Sequence, residues 1–577
     1  MCNACNPRFM QFMKSYMSRR DAVRGIAAAV AGVTLGAPAV HAQAASAADT
    51  IVLARTIHTL NDRAPRAEAV AITAGRIVAV GDRSTVLGLR GPATQVVDLG
   101  DYTVLPGFVD PHMHSNFSGI RPWLDVGPFT TRDLADAREK IRTAAAQTKP
   151  GGWVQAKMLD PSIMAGEPFS RKVLDELAPA TPVFVLESNG HVAYANTPAF
   201  ELAKVTRDLP DPPQSRFVRD SNGELTGRLE EPGAFQPFIV TMPAPTTAEF
   251  AAFLRLDIED AAASGCTTLH DCGIGGLFAE GDLQLIDQVM ASDPPVRYAG
   301  FLVSTHFDKW TQMGLRPGLR SRRFTLTGIK AWADGSNQGL TGYQREPYLG
   351  MTSRGALNYT PQEIEDVIRK AHVTGWQLGV HANGDAAIDV VLDAFERVTG
   401  GSSAHGLRHR IEHCSLLHAE QIARMARLGI SPSFLIGHVH FWGRAFRDNL
   451  LGPARADVLD PCNSALKAGL RMSLHSDFNV TPIDPLRCIQ NAVLRDLRGT
   501  TEVLNPSERI TPLQAVRAMT LDAAWQCHLD STCGSIEVGK AADLVVLERD
   551  PMAVQPDAIQ SIRVHSTWLD GVKRYAA

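Results

Sequence analysis

The sequence predicts an α/β protein, and three observations carry that reading. Short apolar runs end repeatedly in histidine or aspartate, at 106–114, 376–381, 408–413 and 470–477. Between them lie stretches 361–373, 386–398 and 419–428, whose apolar residues recur every three to four positions as in an amphipathic helix. When such strand and helix units close into a barrel, reactive side chains collect at the C-terminal strand ends. That is where these histidines and the aspartate fall.

The first fifty residues read as an export signal and are set apart from the fold. Arg19 and Arg20 precede a mildly apolar, alanine-rich run over 25–40, and Ala42-Gln43-Ala44 supplies an A-x-A cleavage site. This predicts a twin-arginine-type signal peptide over 1–47 and a periplasmic or secreted bacterial protein, although Ala22 stands where such signals prefer a large apolar residue. The run is shorter than the roughly 20 residues of a membrane span, so no stable membrane insertion is expected.

Residues 49–105 read as short β segments, 50–55, 69–74, 76–80 and 95–98, divided by turns at Gly75, Gly81-Asp82 and Gly100-Asp101. The following strand ends in His112 and His114. In extended backbone, side chains at i and i+2 point the same way, so two ring nitrogens there can share one metal ion at about 2.0–2.1 Å. A pair of surface or polar-core histidines is the alternative. Residues 119–229 are too many for one βα unit and are predicted to be an insertion that forms part of a substrate pocket.

Beyond it, 246–263 reads as a helix and 266–270 as a strand ending at His270, with Asp271 behind it as a buttress. The strand 324–330 ends in Lys330. A lysine ligates metal only if CO₂ has converted its amine to a carbamate; otherwise it binds an anion or a carboxylate. His381, His413 and Asp477 end the next apolar runs, and His438, His440, Phe441 and Trp442 follow the strand 430–435. The chain closes with a helical stretch, 511–525, and strands at 543–547 and 561–568.

Taken together, 106–114, Gly328-Ile329-Lys330 with Asp334-Gly335-Ser336, 380–385, Arg410-Ile411-Glu412-His413, His475-Ser476-Asp477 and 539–547 resemble the amidohydrolase superfamily. Within it they are similar to the amidohydrolase family 3, or YtcJ-like, branch. The resemblance implies a (β/α)8 TIM-like barrel over 106–509 and a small discontinuous β-sandwich built from both terminal segments, 48–105 and 510–577. It further implies one or two divalent metal ions at the barrel mouth, zinc first among them. The ligand set carried over is His112, His114, Lys330, His381, His413 and Asp477, with Lys330 where dinuclear members hold a carboxylated lysine. His191, after Ser188-Asn189-Gly190, matches the substrate-side Gly-His region; it either donates to the substrate carbonyl or fixes a loop. His440 and Trp442 fall where family members often carry aromatic substrate-contacting residues; ordinary loop packing is the alternative.

The implied reaction is hydrolysis of a C–N bond of amide type in a small molecule by metal-activated water. Asp477, as final ligand, can accept the water proton and return it to the leaving amine; a turn or N-cap aspartate is the alternative, since Asn479, Thr481 and Pro482 follow. Ester or lactone hydrolysis by the same site, or a non-catalytic periplasmic binding or regulatory protein on this fold, are the competing functions.

Composition bounds the rest. At 577 residues the chain exceeds a bare barrel of about 250, and 45% hydrophobic with 20% charged residues is ordinary for a globular protein. A net charge of −4 without a basic cluster argues against a nucleic-acid partner. Gly273, Gly275 and Gly276 lack the spacing of a phosphate-binding loop. Besides Cys2 and Cys5 in the leader, seven scattered cysteines show no disulfide framework and are expected as buried thiols, though Cys527 and Cys533 could pair. A homo-oligomer stays open.

Overall fold

Eight strands that are buried on both faces form the centre of the computed structural model, which describes residues 47–577 apart from 189, 191, 213, 214, 231, 277, 278 and 405. The twin-arginine segment and His191 lie outside the described residues. The strands are β1 (Phe108–Met113), β2 (Cys266–Ile274), β3 (Arg297–Val303), β4 (Phe324–Trp332), β5 (Gln377–Ala382), β6 (Arg410–His413), β7 (Ser431–Phe434) and β8 (Ser473–Leu474). Neighbours in sequence are neighbours in the sheet, and every pairing is parallel. The ring closes just past the short β8, where the amide of Asp477 donates to the carbonyl of His112 and that of His114 to the carbonyl of Phe478, both at 3.0 Å.

A principal helix follows each strand: α1 (Thr247–Ala263), α2 (Glu280–Ala291), α3 (Phe307–Gln312), α4 (Pro361–Val373), α5 (Asp385–Thr399), α6 (Ala419–Leu428), α7 (Cys462–Lys467) and α8 (Pro485–Leu494). Local sequence sets their ends. Thr360 and Glu363 form a reciprocal capping box with Pro361 in the first turn of α4, and Gly400 and Gly429 end α5 and α6 in the left-handed conformation. Ile364, Ile368 and Ala371 on α4, and Ile388, Val391, Leu392 and Phe395 on α5, form the stripes buried against the strands. With helices outside and side chains filling the barrel inside, strands such as β5 are apolar or chemically committed at every position. Leu378, Val380 and Ile411 are fully buried, each contributing about 1.5–3 kcal/mol of transfer free energy.

The two ends of the described residues share one eight-stranded sheet. Its order is Val572–Ala576, Val564–Leu569, Leu544–Leu547, Thr103–Pro106, Thr50–His58, Arg66–Thr73 and Arg76–Gly81, with Gln95–Asp98 pairing beside Thr50–His58. Alternation along Thr50–His58 splits its apolar residues between two cores: Val52 and Ala54 on one face, Ile51 and Leu53 on the other. Thr103–Pro106 continues through Gly107 directly into β1. A Cβ at Gly107 would stand 2.2 Å from the Thr267 side chain, so this crossing admits only glycine. The helices Pro512–Ala518 and Leu521–Gln526 seal the N-terminal end of the barrel: Gln526 bonds Ser473 and the carbonyl of Pro432, and its own carbonyl accepts from Gln377.

Between β1 and α1 a third sheet is inserted. Its strands run in the order Arg216–Arg219, Leu225–Glu230, Val192–Ala195, Val183–Glu187, Val154–Leu159, Leu124–Asp125. Helices Leu134–Gln147 and Arg171–Leu177 cover it over a separate core that includes Ile141, Leu174 and Val185. All seven described cysteines are buried thiols.

Candidate metal centre

Residues from five strand ends meet at the C-terminal mouth of the barrel. His112 and His114, leaving β1 in extended backbone, bring their Nε2 atoms to 3.2 Å. Asp477, past β8, places Oδ1 at 3.2 Å from His114 Nε2 and 3.6 Å from His112 Nε2. Donors each about 2.0–2.1 Å from one tetrahedral ion stand roughly 3.3 Å apart. The three edges therefore fit one face of such a site. A second group, His112, His413 and His475, likewise keeps its donor atoms within 4.8 Å of one another.

Around this face the remaining predicted ligands assemble. Lys330, ending the inward-facing part of β4, is fully buried with Nζ 3.2 Å from His112 Nε2. His413 lies with its ring 4.8 Å from that of His112 and 4.6 Å from that of His381. His413 and Asp477 both adopt positive φ, 69° and 52°, the kind of backbone strain that collects at functional sites. His475 stacks on His112 at 4.6 Å and 16°. Burial drives its pKa down to about 3, so it is a neutral imidazole, and among the described residues neither ring nitrogen has a hydrogen-bond partner. A neutral ring with a bare lone pair is what metal ligation requires.

A layer of hydrogen bonds fixes the ring orientations. Glu412 Oε2 lies 2.7 Å from His112 Nδ1, and Arg410 Nε donates to Glu412 Oε1 at 2.7 Å. A carboxylate only accepts, so His112 carries its proton on Nδ1 and turns the Nε2 lone pair inward. Arg410 also donates to the carbonyl of Pro111 and lies over Phe301. His381 Nε2 donates to the carbonyl of Gly335 at 2.9 Å, which leaves Nδ1 unprotonated and, among the described residues, without a partner. Asp334 receives the amides of Asn383, Gly384 and Tyr343, clamping the turn after β5, and burial raises its pKa to about 6. Asp110 performs the same service for the turn after β8 by accepting from Ser476 Oγ. His270 bonds Thr327 at 2.7 Å, while Asp271 holds Ser115 and Tyr298 beside β1.

The insertion and the loop after β7 are tied to each other. Asp160 Oδ2 accepts from Ser188 Oγ at 2.7 Å and from Trp442 Nε1 at 2.9 Å. Trp442 is thus a buried strut tying the insertion to that loop. His440 turns to Asp496 and lines an open cleft of about 510 Å³ with Phe441, Arg444 and Arg498, none of which belongs to the histidine cluster. Glu412, His475, Asp334 and Asp110 were not among the sequence-predicted site residues. His475 repeats, two residues before Asp477, the spacing that singled out His112 and His114.

The model of the amidohydrolase family matches residues 95–575. N-substituted formamide deformylase of Arthrobacter pascens is 29% identical over 545 residues, covering 91% of this chain and 98% of the relative. YtcJ of Bacillus subtilis (strain 168) is 28% identical over 534 residues, covering 89% and 97%. Among solved structures, an uncharacterized metal-dependent hydrolase from Pyrococcus horikoshii OT3 superposes with a TM-score of 0.70 at 22% identity, covering 88% of this chain and 99% of its own.

Proposed function

Because the chain belongs to the amidohydrolase family, we propose that the cluster at the barrel mouth holds one or two divalent ions, zinc first among them, and hydrolyses an amide-type C–N bond of a small molecule. The observation that carries this reading is the triangle of His112 Nε2, His114 Nε2 and Asp477 Oδ1, with edges of 3.2, 3.2 and 3.6 Å. The ligand set is His112, His114, Lys330, His381, His413 and Asp477, with His475 beside it. The name of the Arthrobacter pascens relative, an N-substituted formamide deformylase, supports acylated amines as the substrate class.

When bound, a divalent ion supplies Lewis acidity and a water acidic enough to furnish hydroxide at around pH 7. Asp477 accepts the proton of the attacking water on a carboxylate oxygen and returns it to the leaving nitrogen. Glu412 and the Gly335 carbonyl hold the rings of His112 and His381 with their lone pairs inward. Lys330 acts as a carbamate: an ammonium 3.2 Å from His112 Nε2 would compete with an ion for that lone pair, whereas a carboxylated amine would supply oxygen ligands instead. His191 donates to the substrate carbonyl. The protein is exported folded through the twin-arginine route.

Metal analysis together with a panel of N-acyl amino acids, formamides and cyclic amides tests the reading. Hydrolysis that disappears with chelator and in Asp477→Asn is the expected result. Metal-free, inactive wild-type protein overturns it.

A further inference from the structure

His438 opens the π-helical turn His438–Trp442 four residues past β7 and is fully buried. Its Nδ1 lies 3.0 Å from Ser415 Oγ, and Ser415 Oγ lies 2.5 Å from Asn383 Oδ1. Ser415 and Asn383 stand two residues beyond His413 and His381, so this chain of bonds runs along the rim of the metal cluster. Asn383 Nδ2 also lies 3.1 Å from Nε2 of His381, which joins this chain of bonds to the cluster, and Trp442 and Phe446 pack edge-on against the ring of His438.

Every proton in the chain can be placed. The carbonyl of Gly335 only accepts, so the atom of Asn383 that faces it at 2.9 Å is the amide nitrogen. Oδ1 of Asn383 therefore faces Ser415 and takes the hydroxyl hydrogen. With its own hydrogen spent, Ser415 Oγ can only accept from His438, which fixes the proton of His438 on Nδ1. Burial keeps the ring neutral, and Nε2 is left as an acceptor that has no hydrogen-bond partner among the described residues. A buried acceptor held in one tautomer beside the reaction centre is a recognition element for a donor, and sites built this way discriminate strongly against analogues that lack the hydrogen.

From this geometry we infer that Nε2 of His438 accepts the N–H of the scissile amide, so that the site selects N-monosubstituted over N,N-disubstituted amides. The inference rests on the amide-hydrolase reading above for its substrate class. Ser415 and Asn383 are positioning residues that hold the tautomer. Selection by one such bond amounts to about 10–100-fold in kcat/KM.

The test compares N-benzylformamide with N-benzyl-N-methylformamide on the zinc-loaded full chain. Wild-type protein is expected to prefer the first by about 10–100-fold, and His438→Phe to bring the ratio close to one, with metal content and melting temperature recorded alongside. A preference that survives in His438→Phe overturns the inference. Should that variant not fold, Ser415→Ala keeps the ring but frees the tautomer, and its ratio must fall. The same two amides serve as ligands in ¹⁵N NMR of histidine-labelled wild-type protein, which reads His438 whether or not either is cleaved. An Nδ1-protonated His438 whose Nε2 resonance moves only with N-benzylformamide supports the inference, even where absent turnover sinks the hydrolase reading. A proton on Nε2, or equal responses to both amides, overturns it.

Discussion

Glu412 Oε2 and His112 Nδ1 are 2.7 Å apart across 300 residues of sequence, both fully buried, with Arg410 on the far oxygen of the carboxylate. The arrangement fixes the tautomer of His112 and makes its Nε2 a more basic donor atom. Glu412→Gln keeps the shape but removes the charge, and a loss of about 10–100-fold in metal affinity is expected. Competition with a coloured chelator measures it; unchanged affinity would show Glu412 to be a packing residue.

Asp477→Asn is expected to lower kcat by about 10²–10⁴-fold, the range of a lost general acid–base group. A substrate with a better leaving group should recover part of that loss, because less protonation of the departing nitrogen is needed. Equal losses on good and poor leaving groups would leave Asp477 as a ligand only.

Lys330→Ala should release metal and abolish turnover, with partial rescue by formate, acetate or propionate supplying the missing oxygens. Full activity in this variant at one ion per chain would sink the dinuclear reading.

Acid should weaken the barrel through His409. Its Nδ1 accepts the amide of Leu378 at 3.0 Å on β5, its Nε2 faces His372 at 3.1 Å, and burial lowers its pKa to about 3. In the unfolded chain the ring titrates near 6.5, so between pH 6.5 and about 3 the unfolded state binds the extra proton. Its stabilising contribution is complete above pH 6.5 and is lost progressively toward pH 3. His409→Asn, whose amide oxygen can accept from Leu378 without titrating, should narrow the gap between melting temperatures at pH 7.5 and pH 5 (roughly one unit above and one and a half below the ordinary histidine pKa). An unchanged gap places the acid sensitivity elsewhere.

Substituting Arg19 and Arg20 with lysine should leave the protein in the cytoplasm with its leader uncleaved, which fractionation and N-terminal sequencing would detect. Undiminished export rules out the twin-arginine route.

What could be read from sequence was whatever depends on local spacing. The strand and helix periods identified the barrel units, and the i, i+2 rule placed His112 with His114. Applied at β8, the same rule brings in His475 beside Asp477. Glu412 carries no local signal, because its partner His112 is 300 residues away and only barrel closure brings them together. His440 and His438 show the opposite failure. Two residues apart in a strand they would share a face, but the π-helical turn buries His438 and points His440 to Asp496. Periodicity assumes a regular element, and the turn after β7 follows neither the strand nor the α-helix period.

The pairing of Thr103–Pro106 with Leu544–Leu547 also sets an order of events at the ribosome. The strand that leads into His112 is flanked in its sheet by a segment translated more than four hundred residues later, and Gly107 is tied to Asp543 by a backbone bond of 3.0 Å. The first side chains of the candidate metal centre to be synthesised thus gain their final support almost last. A nascent chain stalled before residue 543 would present Thr103–Pro106 as an open edge, available to any other strand in reach. That late pairing makes the support of this strand depend on synthesis of nearly the whole chain.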